Sequence, residues 1–307
     1  MAQPSTVDTA FVLQYGSAVY HLTQQKGSKF AGKVRNESVK GESKAFERLG
    51  LATVEEVASR HPDTPLNEIP HTRRWVTPVD YHTATLLDHQ DLLKMMINPK
   101  GDYAQAQANA IGREIDDVII AASLGDAAAG VSPTTATVTF EDDSISINGD
   151  GTATTLGTLA AVTTVANISL EKMLLMLRIF NDEDTDPDET RYWVVSPKDL
   201  QDMLNLTEIG SADYNTVKTL VAGKVDTFSG FTWFWSTRLT LDAATSTGRR
   251  TFAWCPSGII YGSGEGVSSR ITERDDKSYA WQIYSKVNCG AVRLEGAKVH
   301  ECLNKLT

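Results

Sequence analysis

The sequence predicts an α+β protein whose N-terminal third does not pack a core of its own. One observation is an amphipathic helical pattern over 102–124, and a second is the run of strand-like segments between 231 and 295. The third is an N-terminal part that prolines interrupt and that has few apolar anchors. With 41% hydrophobic and 22% charged residues, the chain is expected to be folded and soluble.

The N-terminal third is predicted to contain one helix, a long loop and one strand-rich segment. Residues 7–22 carry apolar side chains at helical spacing, and a shorter helical signal covers 53–59. Residues 72–87 have strand composition, and Pro78 confines them to a sheet edge or a projecting hairpin. Because so few apolar anchors are unlikely to form an independent domain, we expect an arm and a loop that become ordered against something else.

The helical pattern over 102–124 is the clearest in the chain. Apolar and polar residues fall on opposite faces, Asp102 is a candidate N-cap, and Gly125 ends the helix. At ~1.5 Å per residue this helix is a rod of roughly 33 Å. Residues 126–166 then change to Thr, Ala, Gly and Ser, which predicts a short β excursion with loose loops.

The rest of the chain predicts one α/β step followed by strands, on which the long helix is expected to pack. Ser169 begins a second amphipathic helix, residues 192–195 form a buried strand, and Ser196-Pro197 begins a further helix. Glycines are expected to separate the later strands. The predicted strands are 231–237, 251–255, 258–262, 267–273, 279–287 and 290–295, and the separating glycines are those at 262, 264, 266 and 290.

Charge is distributed unevenly along the chain. Residues 1–100 contain 12 Lys+Arg and 11 Asp+Glu, whereas the remainder contains 17 and 28, and the formal net charge is −10. A basic extension on an acidic body suggests that one subunit's extension lies on another's body, with an ordinary solvated surface as the alternative. The acidity argues against nonspecific nucleic-acid binding as the main activity. No apolar run reaches the ~20 residues of a membrane span, and no secretory signal is visible, so a cytosolic protein is expected.

No set of residues for catalysis or metal binding is apparent in the sequence. An EF-hand loop starting at Asp182 would need glycine at 187 and glutamate at 193, where the chain has Pro187 and Trp193. The segment DEDTDPDE is therefore expected to be a solvated acidic loop, with an incidental cation site as the alternative. The glycine-rich residues 262–266 lack the spacing of a phosphate-binding loop and predict a turn between strands. We expect no enzyme activity, no metal and no cofactor.

Cysteine and aromatic residues are predicted to be structural. The three cysteines form no CxxC pair and are expected to be small buried residues. In the segment FTWFW at 231–235, aromatic side chains alternate on one strand face without interleaved cations, which favours a place in the core over base stacking.

Basic side chains are the candidates for contacts between subunits. The chain has two adjacent arginine pairs, and each guanidinium can bind a neighbour's carboxylate through two hydrogen bonds. Basic residues also crowd the segment 26–48. The candidate inter-subunit contacts are Lys29, Lys33, Arg35, Arg73, Arg74, Trp75, Arg249 and Arg250.

Three segments resemble a group of phage capsid proteins. They are AFVLQYGSAVYHLTQQKGSKFAGKV (10–34), SRHPDTPLNEIPHTRRWVTPVDYHTATLLD (59–88) and DYAQAQANAIGREIDDVIIAASLG (102–125). In these segments and in the order of its predicted parts, the chain resembles the major capsid proteins of tailed double-stranded DNA bacteriophages, which share the Hong Kong 97-like fold.

The resemblance implies a division of the chain. The implied parts are an N-terminal arm (1–35), an extended loop (36–92), a peripheral domain with a spine helix at about 102–124 and a Thr/Ala-rich β excursion (93–165), an axial domain (166–255) and return strands of the peripheral domain (256–307).

The resemblance also implies a function. Such a protein assembles with copies of itself, through pentamers and hexamers, into an icosahedral head around DNA that it does not read by sequence. Portal and scaffolding proteins are implied partners, a decoration protein is a further one, and no membrane is involved. The implied location is the virion, after assembly in the host cytoplasm. The alternatives are an encapsulin-like compartment shell and a cytosolic α/β enzyme.

Overall fold

The computed structural model describes residues 23–57, 59–60, 66–88, 100–157, 165–206, 227–242 and 248–306. The helix predicted over 7–22 lies outside the described residues. The chain divides into two compact units, each built from three segments. The smaller unit is Met1–Gly27, Tyr81–Arg113 and Val267–Val287, and the larger unit is Ser28–Asp80, Glu114–Gly266 and Asn288–Thr307.

The described residues form a mixed α+β structure, as predicted. The helices are α1 (Lys100–Leu124), α2 (Phe140–Asp143), α3 (Leu170–Asp182) and α4 (Pro197–Leu204). The strands are β1 (Arg35–Ser38), β2 (Lys44–Leu49), β3 (His71–Val76), β4 (Val79–Leu87), β5 (Ala127–Ala129), β6 (Ala136–Val138), β7 (Ser146–Ile147), β8 (Arg191–Val195), β9 (Thr227–Phe228), β10 (Phe231–Trp235), β11 (Gly248–Trp254), β12 (Ile259–Arg274), β13 (Ala280–Arg293) and β14 (Val299–Lys305). Their sheet orders are β1-β12-β13-β4, β7-β14-β11-β8-β10-β9 and β2-β3-β5-β6.

The six-stranded sheet carries the main core of the larger unit. Strands β8 and β10 run parallel, and β11 is antiparallel to both β8 and β14. Helix α3 presents Met173 and Phe180 to the face of the sheet where Trp193 and Phe231 are buried. Each side chain of this size that leaves water stabilises the fold by about 1.5–3 kcal/mol. Because this core fixes the sheet, the chain segments at the ends of its strands are held in defined positions.

Local sequence signals set the starts of α3 and α4, as predicted. Ser169 is the N-cap of α3, where its side chain accepts a hydrogen bond from the backbone N–H of Lys172. At α4, the Ser196 side chain accepts from the Asp199 N–H while the Asp199 carboxylate accepts from the Ser196 N–H. This reciprocal pair satisfies donors that the first helical turn leaves free, and Pro197 needs none.

The part of α1 that belongs to the smaller unit, residues 100–113, packs on C-terminal strand residues through a buried amide. This contact agrees with the predicted packing of the long helix. The Gln107 side chain donates to Thr85 Oγ1 at 3.0 Å and to the Ile283 carbonyl at 3.1 Å. Ser285 Oγ donates to Gln107 Oε1 at 2.9 Å. A buried amide with all its partners in place fixes the position of this part of the helix along the strands.

The glycines predicted to separate strands lie inside long strands instead. The segments 258–262 and 267–273 belong to β12, and 279–287 and 290–295 belong largely to β13. A Cβ atom at Gly262 would lie 2.5 Å from Val39 Cγ2, and one at Gly290 would lie 2.7 Å from the Thr77 carbonyl oxygen. These glycines allow close approach of neighbouring chain segments, so the prediction of turns was wrong.

Other local predictions had mixed outcomes. The described part of 53–59 has no helical structure, so the short helical signal there was misleading. Pro78 separates β3 from β4, and β4 is an edge strand, which agrees with the constraint that proline imposes. The excursion at 126–166 contains the predicted short strands but also α2, which was not predicted.

Candidate assembly surfaces

The extended segment between β2 and β3 exposes an unusual number of large aliphatic side chains. Strands β2 and β3 pair antiparallel up to Leu49 and His71, and the Gly50 N–H donates to the Pro70 carbonyl at 2.8 Å. Beyond this closure, Leu51, Val54 and Leu66 are each more than nine-tenths exposed. We call the exposed aliphatic set the apolar tip; its members are Leu49, Leu51, Val54, Val57, Leu66 and Ile69.

So many exposed aliphatic side chains within one short stretch of sequence need an explanation. Single apolar residues on a protein surface are ordinary, whereas contiguous apolar patches mark sites of association. Since the tip lies at the end of a paired hairpin, its side chains are presented to the outside rather than to the core of the same unit.

Three arginines tie the β2–β3 hairpin to the rest of the larger unit. Guanidinium groups of Arg48 in β2, Arg74 in β3 and Arg293 in β13 lie 3.8, 3.1 and 3.4 Å from the Asp143 carboxylate. The side chains of Arg74 and Arg293 are almost fully buried. Burial lowers the pKa of both groups and Asp143 opposes that shift, but a guanidinium remains charged in proteins. We call these four residues the arginine cluster.

Two arginines also serve the C-terminal end of α1. Arg293 Nη1 donates to the Gly125 carbonyl at 2.7 Å and to the Ser123 carbonyl at 3.3 Å. Arg250 Nη2 donates to the Leu124 carbonyl at 3.4 Å, and its guanidinium forms a two-point ion pair with Glu301. Carbonyls at a helix C-terminus lack partners within the helix and carry partial negative charge, so cations there stabilise the helix.

The residues after Gly27 are anchored on the larger unit through Asp116 in α1. The buried Asp116 carboxylate accepts from the Lys29 N–H at 3.0 Å, from the Phe30 N–H at 3.2 Å and from the Ser28 hydroxyl. Phe30 is fully buried, and its ring stacks on Trp254 with centroids 5.6 Å apart. Residues 28–30 are therefore held both by charge and by aromatic packing.

The eight residues proposed from sequence as inter-subunit contacts have different surroundings. Arg35 pairs with Glu37, and Arg73 pairs with Glu47, both at 2.8 Å on the surface. Trp75 Nε1 donates to the Gly130 carbonyl at 2.9 Å, and the buried Arg249 Nε atom has no hydrogen-bond partner in the part of the chain that the structure describes. Lys29 and Lys33 lie beside aromatic rings of β10. That these residues contact a neighbouring subunit stays a prediction.

Arg74 and Arg250 are the two candidates whose ion pairs within the subunit are largely buried. Arg74 belongs to the arginine cluster, and Arg250 is paired with Glu301. Asp143 and Asp116, which hold the β2–β3 hairpin and residues 28–30, were not singled out from sequence. Their partners are far away along the chain, so no spacing rule points to them. The apolar tip had a visible signal in Val54 and Val57, but the pattern over 53–59 was interpreted as a short helix.

The three cysteines lie in the interior of the described structure. Cys255, Cys289 and Cys302 are buried, and burial raises the pKa of the Cys255 and Cys302 thiols to about 12. Within the described ranges, no three His, Cys, Asp or Glu side chains converge to hold a metal ion. Helices in the same ranges are too short or too polar to cross a membrane. Trp235 is 46% exposed, so the core placement predicted for 231–235 holds for Phe231 and Trp233 but not for this residue.

The fold matches solved phage capsid structures over nearly its full length. The capsid structure of the cyanophage P-SCSP1u has a TM-score of 0.72 at 16% identity, covering 99% of this chain and 96% of that chain. The cyanophage Pam1 capsid asymmetric unit has a TM-score of 0.72 at 12% identity, covering 99% of both chains. A structure from Mycobacterium phage Che8 has a TM-score of 0.68 at 16% identity, covering 95% and 97%. The fold is thus the Hong Kong 97-like capsid fold.

Sequence comparison gives the family. No curated protein sequence is detectably similar to this chain. The family model described as phage capsid protein matches residues 7–305. Because this match spans nearly all of the 307 residues, the chain belongs to the phage capsid protein family.

Proposed function

We propose that this capsid protein joins copies of itself, through pentamers and hexamers, into an icosahedral head that encloses double-stranded DNA. The observation that carries the proposal is the apolar tip, whose aliphatic side chains are left exposed by the part of the subunit that the structure describes. A neighbouring subunit that covers them removes this surface from water, and each fully buried side chain contributes about 1.5–3 kcal/mol.

The arginine cluster supports the same role. A projecting loop transmits force between subunits only if its root is held, and the arginine cluster joins β2 and β3 to α2 and β13. Many modest contacts of this kind, repeated by symmetry, give a stable closed shell.

The role we propose is structural rather than catalytic. The protein resides in the virion after assembly in the host cytoplasm, with portal and scaffolding proteins as partners and a decoration protein as a further one. The packaged DNA is held without sequence-specific contacts, in keeping with the formal net charge of −10.

Microscopy of the purified protein tests the proposal. The full chain, produced alone and together with a scaffolding protein of a related phage, is examined by negative stain and light scattering. We expect closed particles of uniform size with fivefold and sixfold clusters on their surface. A discrete monomer or small oligomer under both conditions would contradict the assembly role.

A further inference from the structure

A groove in the larger unit lies where β8 and β10 end. Its volume is about 360 Å³, and it is lined by the last residues of both strands, by Leu200 in α4 and by the chain at 28–33. The aromatic wall of the groove consists of Trp233, Phe234 and the half-exposed Trp235. We call this feature the lysine groove, because Lys29 and Lys33 line it.

Both lysines hold their ammonium groups over aromatic rings. Lys29 Nζ lies 3.5 Å from the centroid of the Trp235 ring and donates to the Trp235 carbonyl at 3.0 Å. Lys33 Nζ lies 4.2 Å from the centroid of the Phe234 ring and donates to the Lys29 carbonyl at 2.6 Å. Partial burial lowers the pKa of each amine. Two cations are therefore fixed side by side in a partly dehydrated groove.

Neither ammonium has an ion-pair partner among the described side chains. The carboxylate of Asp116 acts on both, but it is buried and accepts hydrogen bonds from backbone N–H groups. Two positive charges against one buried negative charge leave the groove with an excess of positive charge. An anionic group entering from outside would meet cations already positioned to receive it.

A matching surface lies at the other end of the same sheet. The acidic loop, residues 183–190, leads directly into β8, and it exposes the side chains of Asp184, Asp186 and Asp188. Those three carboxylates form no ion pair with the described residues. Arg191 holds the loop in place, since its guanidinium donates to Asn181 Oδ1 at 3.0 Å and to the Thr185 carbonyl at 3.2 Å.

Strand direction separates the two surfaces within one subunit. The parallel register of β8 and β10 pairs Arg191 with Phe231 and Val195 with Trp235, so the loop lies at the starting end and the groove at the finishing end. At roughly 3.3 Å per residue, the intervening strand spans about 13 Å. Complementary patches on opposite ends of one subunit meet only between copies, in a head-to-tail contact of the kind that closes rings.

We propose that the lysine groove of one subunit receives the acidic loop of a second copy, with Asp184 and Asp186 lying against Lys29 and Lys33. The contact names one pair of surfaces within the assembly proposed above and rests on that proposed function. The contact also accounts for the uneven distribution of charge along the sequence. The basic segment lies on the sheet of its own subunit and meets the acidic loop of a neighbouring subunit.

Zero-length crosslinking of mixed particles tests the contact directly. Subunits carrying ordinary and heavy nitrogen are mixed before assembly, and the particles are treated with a carbodiimide, which joins a lysine to a carboxylate without a spacer. Trypsin releases the loop carboxylates in one peptide, because cleavage sites follow Arg178 and Arg191. We expect peptides that join Lys29 or Lys33 of one isotope to this peptide of the other. Crosslinks confined to one isotope, or none to this peptide, would overturn the proposal.

Charge exchange gives an independent test. Lys29→Glu with Lys33→Glu, and separately Asp184→Lys with Asp186→Lys, should each lower particle yield about tenfold, because a ring repeats every lost contact. The combined variant should recover most of the yield. Lys277→Glu, an exposed lysine elsewhere, is the matched control and should assemble normally.

Two further measurements keep the result interpretable. Circular dichroism and the thermal midpoint of the isolated subunit report whether a variant folds, and Lys29→Gln with Lys33→Gln removes the charges with less disturbance than reversal.

If wild-type protein never forms particles, the proposed function fails. If wild-type protein assembles and both reversals assemble equally well, only the groove contact fails. Normal assembly with reduced DNA content would assign the lysines to phosphate and would also overturn the proposal.

Discussion

Asp143 is the only carboxylate within 4 Å of the guanidinium groups of Arg48, Arg74 and Arg293 among the described residues. Two of these guanidiniums are almost fully removed from water, where an unpaired charge costs several kcal/mol. The attachment of the β2–β3 hairpin to the rest of the larger unit therefore depends on one residue, Asp143.

Asp143→Asn should therefore destabilise the larger unit strongly. The amide keeps the shape of the side chain but removes the charge that compensates three cations, and breaking a buried pair typically costs about 3–5 kcal/mol. Urea unfolding of the isolated subunit measures the effect. Glu47→Gln is the control, because its pair with Arg73 is exposed and contributes about 0–1 kcal/mol. Equal losses in the two variants would contradict the role given to Asp143.

His300 makes stability depend on pH. The ring is buried, it packs edge-on against Phe180, and Nδ1 accepts the Ile145 N–H while Nε2 contacts the Ala297 carbonyl. Burial lowers its pKa from 6.5 to about 4. The unfolded chain therefore binds a proton in a pH range where the folded ring stays neutral.

The stabilising effect of a neutral His300 is complete above pH 6.5 and is lost as the pH falls from 6.5 to about 4. The free energy of unfolding should drop by up to about 3 kcal/mol across that window because of this residue alone. Urea midpoints measured from neutral to mildly acidic pH, for wild type and for His300→Gln, separate this effect from the titration of carboxylates. Parallel pH profiles for the two proteins would refute it.

Secondary-structure elements differ in how far the sequence predicts them. Helix α1 and the starts of α3 and α4 follow from signals within a few neighbouring residues, namely apolar spacing and serine caps. Strands β1, β2 and β14 were not predicted, because their segments RNES, KAFERL and VHECLNK are at least half polar and show no strand pattern, and only long-range pairing places them in sheets. The candidate surfaces are also assembled by long-range pairing. From sequence alone, their residues could be named only where the neighbouring residues themselves indicate charge or exposure.

Gly290 shows why a strand can need a residue that usually interrupts strands. A Cβ atom there would meet the Thr77 carbonyl oxygen at 2.7 Å, and backbone cannot move aside as a side chain can. Gly290→Ala should lower the free energy of unfolding by about 1–3 kcal/mol, in the range of other overpacking changes. Gly266→Ala is the control, since a Cβ at that position of β12 meets nothing within 4 Å. Thermal unfolding of both variants measures the difference, and an unaffected Gly290→Ala protein would refute the close-approach interpretation.

At the scale of the whole molecule, we expect changes in the apolar tip to affect assembly without affecting the folding of the subunit. Leu51→Ser with Val54→Ser and Leu66→Ser alters side chains that are more than nine-tenths exposed among the described residues. We expect the free energy of unfolding of the isolated subunit to change by less than about 0.5 kcal/mol, and particle yield to collapse.

Leu156→Ser is the matched control for the tip variant, since this leucine is also exposed but lies outside the tip. Sedimentation of assembly mixtures gives the particle fraction for each protein. Particles formed by the tip variant at wild-type yield would show that these side chains are not at an interface.

The three buried thiols bear on the durability of such a particle. Disulfide formation and alkylation both require an accessible thiolate. All three cysteines of the chain are buried, and burial raises the pKa of each thiol. Passage from the reducing interior of a cell to an aerated medium should therefore leave the covalent structure of every subunit unchanged, and storage in air should neither rigidify the shell nor link its neighbours.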